Sequence, residues 1–153
     1  MLNGDGSSRY RQAEVTAKLT WESASELVLS YTRSRAVGSL NQFDTFLGNY
    51  AIPIIRPAVY ANLPGDLPNR FLLWGRVKAH FWALQLLPTL EYRNGFPYST
   101  FNAAQDYVGV PNQNRFLNFF SLDSRLSKDI TLDSKKTLRL SLSGFNRRLM
   151  AAK

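Results

Sequence analysis

The chain has 153 residues, enough for one domain with its own core, and no cysteine, which excludes disulfides and thiolate metal sites. Its 19 Lys and Arg outnumber 11 Asp and Glu, but they are scattered singly among Leu, Phe and Trp, which argues against a nucleic-acid tail. No stretch reaches the roughly 18 apolar residues of a membrane helix, residues 79–90 being broken by His80, Gln85 and Pro88, and Met1-Leu-Asn-Gly-Asp-Gly-Ser-Ser8 lacks the pattern of a secretory signal.

Period-two alternation marks six strands in chain order. The first sets Ala13, Val15, Ala17, Leu19 and Trp21 against Gln12, Glu14, Thr16, Lys18 and Thr20. A helix would scatter both sets around its circumference, whereas a strand puts them on opposite faces. The second sets Leu27, Leu29 and Tyr31 against Ser30, Thr32 and Ser34. The third sets Phe71, Leu73, Gly75, Val77 and Ala79 against Trp74, Arg76 and Lys78. In the fourth, Leu84, Leu86, Pro88, Leu90 and Tyr92 oppose Gln85, Thr89, Glu91 and Arg93. The fifth sets Phe120, Leu122, Ser124 and Leu126 against Ser121, Asp123, Arg125 and Ser127. The sixth sets Leu138, Leu140 and Leu142 against Arg139, Ser141 and Ser143. Pro88 has no N–H for a ladder, so a bulge or local bend is expected there.

This pattern predicts an all-β antiparallel meander with one apolar and one polar parity. In a soluble sandwich the apolar parity is the core; in a membrane barrel it faces lipid and the polar parity lines a wet lumen. The connections separate the two. Short turns near Ser23, around His80 to Trp82 and from Lys128 to Lys136 alternate with long loops, Gly38 to Pro68 and Asn94 to Arg115. Outer-membrane barrels place turns on one side and loops on the other in this way, and their tilted strands need about 9–11 residues. Aromatics sit toward the strand ends: Trp21, Phe81 and Trp82 by the short turns, and Tyr31, Phe71, Tyr92, Phe119 and Phe120 nearer the loops. Two such belts would match interfacial girdles.

The segments Leu29-Ser-Tyr-Thr-Arg-Ser-Arg-Ala-Val-Gly-Ser-Leu-Asn-Gln-Phe-Asp44, Leu67-Pro-Asn-Arg-Phe-Leu-Leu-Trp-Gly75, Leu90-Glu-Tyr-Arg-Asn-Gly-Phe-Pro-Tyr-Ser99 and Phe119-Phe-Ser-Leu-Asp-Ser-Arg-Leu-Ser-Lys-Asp129 resemble the last strands of TonB-dependent outer-membrane receptors. The likeness is to the type with an N-terminal carboxypeptidase-regulatory-like domain, and it runs from about Tyr10 to Asn146. The resemblance implies that residues 1–146 are part of a barrel of about 22 strands, in the outer membrane of a Gram-negative-type bacterium. It implies partners in outer-membrane lipid and in the remaining strands and plug of a receptor that takes up a bulky nutrient such as a siderophore or oligosaccharide. Past Gly144-Phe145-Asn146 the family continues with further barrel residues, whereas Arg147-Arg-Leu-Met-Ala-Ala-Lys153 has no alternation, so residues 147–153 are expected to be a disordered, non-homologous tail. Six strands cannot close a barrel, so an open sheet with two bare edges is expected, inactive by itself. A soluble sheet binding a lipid or carbohydrate, and a structural or adhesive sheet, are the competing readings. If Val15, Leu19, Leu73, Leu86 and Leu140 turn inward onto another layer, the membrane reading fails.

Few residues suggest chemistry. His80, the single histidine, sits at an expected turn with no carboxylate pair near it in sequence, and reads as a surface residue. No Ser–His–Asp or Cys–His set exists, so no enzyme, catalytic residue, metal or cofactor is expected. Glu91 with Arg93 and Asp123 with Arg125 share strand faces and read as charges pairing across strands. Arg76, Lys78, Arg93, Arg125 and Arg139 share the polar parity and would make a basic inner wall for an anionic solute. Gly95, Gly109 and Gly144 fit no phosphate-cradling spacing, and Asn94-Gly95 and Pro64-Gly65-Asp66 are turn signals. The apolar loop Ile52-Pro-Ile-Ile-Arg-Pro57 is expected to pack over the sheet.

Overall fold

Alternating Leu, Val, Thr, Tyr and Trp fit a pleated surface with one apolar side, and the chain folds as an antiparallel meander. The computed structural model describes residues 6–21, 25–39, 59–79, 83–133 and 136–150. The strands are β1 Ser8–Trp21, β2 Ser25–Gly38, β3 Ala61–Asn62, β4 Asn69–Ala79, β5 Leu84–Arg93, β6 Pro97–Tyr98, β7 Asn114–Arg115, β8 Asn118–Asp133 and β9 Lys136–Met150. The main sheet runs β1-β2-β4-β5-β8-β9, with β3 added to β2 and no barrel closure, and no helix occurs among the described residues. All six sequence-read strands are present.

The chain divides into two compact units. One comprises residues 1–13, 33–69 and 94–117; the other comprises 14–32, 70–93 and 118–153. Both long connections therefore belong to the first unit.

In the second unit, register carries the parity from strand to strand. Val77 lies opposite Leu86, Leu86 opposite Leu126 and Leu126 opposite Leu142, so one apolar row crosses four strands. A second row joins Leu73, Leu90 and Leu122, and a third, aromatic, joins Phe71, Tyr92 and Phe120. Directly opposed side chains of this kind each add a few tenths to about 1 kcal/mol to a sheet. Among the described residues of this unit, no second layer covers the rows. Leu86 is 38% exposed, Leu140 53%, Val15 68% and Leu19 61%, while Leu73 is half-buried. Val28 is the only large apolar side chain in the buried class among the described residues of this unit.

Three sequence expectations change here. Of the bulge or local bend expected at Pro88, no bulge forms. The β4–β5 pairing lapses between Trp74 and Val77 and resumes unshifted, while Pro88 keeps its place opposite Ser124. The lapse falls where Pro88, which has no N–H to give a ladder, comes opposite Gly75 in the continued register. The irregularity sits instead at Thr131/Asp133, between β8 and β9. The expected connection from Lys128 to Lys136 is largely strand, since β8 continues to Asp133. Nor does irregular chain begin at Arg147: β9 continues to Met150, with Arg147–Met150 opposite Ser121–Asn118. A charged, non-alternating end is held there by backbone pairing, which does not depend on side-chain parity. The expectation of disorder for 151–153 lies outside the described residues, as do those for His80, Phe81, Trp82, the turn near Ser23 and the loop 52–57.

In the first unit, residues 94–117 are not a structureless loop. Strands β6 and β7 pair, Phe101 bridges Tyr107 with ring centroids 5.2 Å apart, and Tyr98 stacks on Phe116 at 4.6 Å. At the tip, Asn102 Oδ1 accepts the Asp106 N–H at 2.9 Å, an Asx-type closure, and Gln105 takes φ 66°. Gly95 is obligatory here: a Cβ on it would stand 1.9 Å from the Phe116 carbonyl oxygen.

Candidate functional site

The polar parity of the second unit assembles most of the charge. Lys78, Gln85, Ser127 and Ser141 lie in one register row, and Asp129 opposes Arg139 two residues further toward the β8–β9 connection. Arg76, Lys78, Arg93, Arg125 and Arg139 therefore share one face, as the alternation predicts. Their neutralisation is uneven. Arg139 makes a bidentate pair with Asp129, Nε to Oδ1 at 2.6 Å and Nη2 to Oδ2 at 2.8 Å. Glu91 Oε1 receives Arg70 Nε at 3.1 Å and lies 3.6 Å from Arg93 Nε, and the Arg93 guanidinium also caps the Phe119 ring at 4.6 Å. So Glu91 pairs both across strands and along its own.

The cross-strand charge pairs expected of Asp123 and Arg125 do not form among the described residues. Asp123 Oδ1 accepts the Asn146 N–H at 3.2 Å and the Ser121 hydroxyl at 3.3 Å, while Arg125 Nε donates to Ser143 Oγ at 3.1 Å. Each charge meets a neutral partner on the neighbouring strand instead.

Arg76, Lys78, Gln85, Ser127, Asp129 and Arg139 line an open groove of about 530 Å³ by the connections β4–β5 and β8–β9. Three cations face one carboxylate, which is already held by the Arg139 fork. The groove suits an anion bound by charge and by the Gln and Ser hydrogen-bonding groups, in wide-open water. No nucleophile–base pair is set up among its described residues. Among the described residues, no three His, Cys, Asp or Glu side chains converge as metal ligands.

The first unit holds a constellation that reading Pro64-Gly65-Asp66 as a turn does not reveal. The turn does form, with Asp66 N–H donating to the Leu63 carbonyl at 2.9 Å. Its Asp66 carboxylate is 2% exposed, its Oδ1 accepts the Ala36 N–H at 2.6 Å, and its Oδ2 accepts from Arg115 Nη2. Arg115 Nη1 reaches the Asp66 carbonyl at 3.0 Å and the Gly95 carbonyl at 3.1 Å. One guanidinium thus ties the 63–66 turn, the 94–117 hairpin and, through Asp66, strand β2. Ser34 adds a hydroxyl bond to the Leu67 carbonyl at 2.6 Å. A second knot is built on Asn112, at φ 55°, whose Nδ2 donates to the Asn62 carbonyl at 2.7 Å and whose N–H donates to Ser99 Oγ at 2.9 Å.

These knots rigidify loops rather than offer free chemistry, because every polar atom of Asp66 named above is occupied. Of the glycines, Gly95 serves close approach and Gly109 takes φ 82° in a loop turn. Gly144 lies in β9 opposite Ser124. No protein-family model, curated protein or solved structure matches the chain.

Proposed function

We propose that the chain is barrel wall of an outer-membrane TonB-dependent receptor: it separates lipid from a polar lumen and presents anchored loops, and it catalyses no reaction. The observation that carries this reading is the bare apolar parity. Leu86, Leu126 and Leu142 align across three strands at 38%, 39% and 74% exposure, and Val15 and Leu19 are more than half exposed. Soluble monomers seldom leave a contiguous apolar face of several strands open to water, whereas hydrocarbon accepts it. Charges collected on the opposite parity support the same division. A soluble carbohydrate- or lipid-binding sheet would need that apolar face covered or curved into a pocket, and no element among the described residues of the second unit covers it.

The solute side is the polar parity, and its unmatched Arg76 and Lys78 favour an anionic nutrient such as a metal chelate. Uptake itself would need the rest of a receptor, and the proposed partners are outer-membrane lipid and further barrel strands with a plug. The residues of the 63–66 turn and the 94–117 hairpin would then be external, fixed by Arg115.

The cysteine-free sequence makes the test clean. Single cysteines at Val15, Leu86 and Leu140, and at Arg76, Arg125 and Ser143, are spin-labelled in the chain reconstituted into phosphatidylcholine vesicles. Labels of the first set should relax with oxygen, dissolved in lipid, and those of the second with an aqueous nickel chelate. Equal response of both sets to the nickel chelate would rule out the wall reading.

A further inference from the structure

Both long strands β1 and β2 change character along their length without changing parity. The odd positions that later carry Val15 and Leu19 begin, in β1, with Arg9 and Arg11. Those that start in β2 with Leu27, Leu29 and Tyr31 end with Arg33 and Arg35. The strands are neighbours, and Ser39 N–H donates to the Ser7 carbonyl at 2.9 Å. That bond pairs an odd residue with an odd residue, so the four arginines share one face of the first unit.

All four side chains are exposed. No odd position of β1 or β2 holds Asp or Glu. Arg33 Nη1 donates to Asn69 Oδ1 at 2.8 Å, an uncharged partner, and no carboxylate among the described residues pairs with Arg9, Arg11 or Arg35. Residues i and i+2 of a strand stand roughly 6.8 Å apart and neighbouring strands about 4.8 Å. Four guanidiniums so placed repel one another unless an anion lies among them.

We infer that Arg9, Arg11, Arg33 and Arg35 form a belt that binds the phosphate groups of anionic lipids. The inference rests on the wall reading, since it takes the odd parity of these strands as the lipid side. On that side the strand leaves hydrocarbon where leucine and valine give way to arginine, and a long aliphatic stem with a charged tip suits that boundary. A planar fork of donors matches phosphate oxygens two at a time, which lysine does not. A lipid headgroup is favoured over a soluble anion because the odd parity of these strands is the side that the wall reading gives to lipid.

The test is flotation of the full chain, refolded from detergent, with vesicles of phosphatidylcholine alone or with about 30 mol% phosphatidylglycerol. The wild type should partition into both and prefer the anionic vesicles. Cations near an anionic surface each contribute about a factor of five, so R11Q/R35Q should lose roughly 30-fold of that preference. K18Q/R70Q, which removes the same formal charge from the other parity, should keep most of it, and R11K/R35K should recover only part. Equal loss in the two glutamine variants would make the preference a net-charge effect and overturn the belt. Binding to neutral vesicles without any anionic preference would overturn the belt alone, leaving the wall reading standing. Binding to neither vesicle would overturn both.

Discussion

Replacing Asp66 by alanine should loosen the first unit more than any single surface change. The carboxylate is 2% exposed and serves two donors, Ala36 N–H and Arg115. Ala36 is 7% exposed, so its amide loses its acceptor in a place water reaches poorly. An unsatisfied buried donor costs about 1–3 kcal/mol, and a lost charge-assisted bond about 1.5–3 kcal/mol. The second figure belongs at its lower end, because the Arg115 side chain is 29% exposed and keeps its bonds to the Asp66 and Gly95 carbonyls. The expected total is about 2.5–4.5 kcal/mol. Hydrogen exchange at the Ala36 amide reads it directly, as an acceleration of roughly 60- to 2000-fold. Asp66→Asn retains an oxygen for the Ala36 N–H and should cost about half as much. Arg115→Met should cost at least as much as Asp66→Ala, since it strands a carboxylate with almost no access to water, and breaking a buried pair from one side costs about 3–5 kcal/mol. If Asp66→Ala accelerates exchange at Ala36 less than threefold, the carboxylate does not hold the strand and the argument fails.

The remaining predictions concern the second unit. A Cβ at Gly75 would lie 2.1 Å from the Glu26 carbonyl oxygen and 2.9 Å from Leu27 Cα, so Gly75→Ala should push β4 from β2 and cost about 2–4 kcal/mol, read as a lower urea midpoint in detergent; an unchanged midpoint would refute the close approach. Leu126→Arg, in the middle of the apolar row, should destabilise the vesicle-bound chain by about 2–4 kcal/mol, while Ser127→Arg on the opposite parity should cost under about 1 kcal/mol. Equal penalties for these adjacent residues would mean that both faces meet the same solvent. Charge reversal at Arg76 and Lys78 should leave the folded signal intact and change only the salt-dependent retention of anionic solutes, measured by equilibrium dialysis.

Which parts of this fold were legible in the sequence follows from the range of the forces involved. Period two is a local signal, so Leu138, Leu140 and Leu142 declare a strand without knowledge of their neighbours, and parity then puts Arg76, Lys78 and Arg139 together with no further information. Strand ends were harder. Arg9, Arg33, Arg35 and Arg147 interrupt the apolar pattern while the backbone ladder continues, so β1, β2 and β9 run longer than their leucines suggest. The Asp66–Arg115 clip was invisible because its partners are 49 residues apart and neither lies in a regular pattern. Asp66 resembled an ordinary turn residue, and only burial distinguishes it. Asp123 and Arg125 differ for another reason: a shared strand face predicts charge pairs across strands, but the register sets neutral Asn146 and Ser143 beside them on β9.

The main sheet has an even number of long strands, each antiparallel to the next. Its first and last strands therefore run in opposite directions. A block of this kind can be inserted into an alternating wall, or lifted out of one, without making any two neighbours parallel. An odd count would force a parallel seam on the whole assembly. Three successive hairpins are thus an interchangeable quantum of such a wall: lengthening the perimeter by this block alters how wide a solute fits while preserving which end every loop occupies.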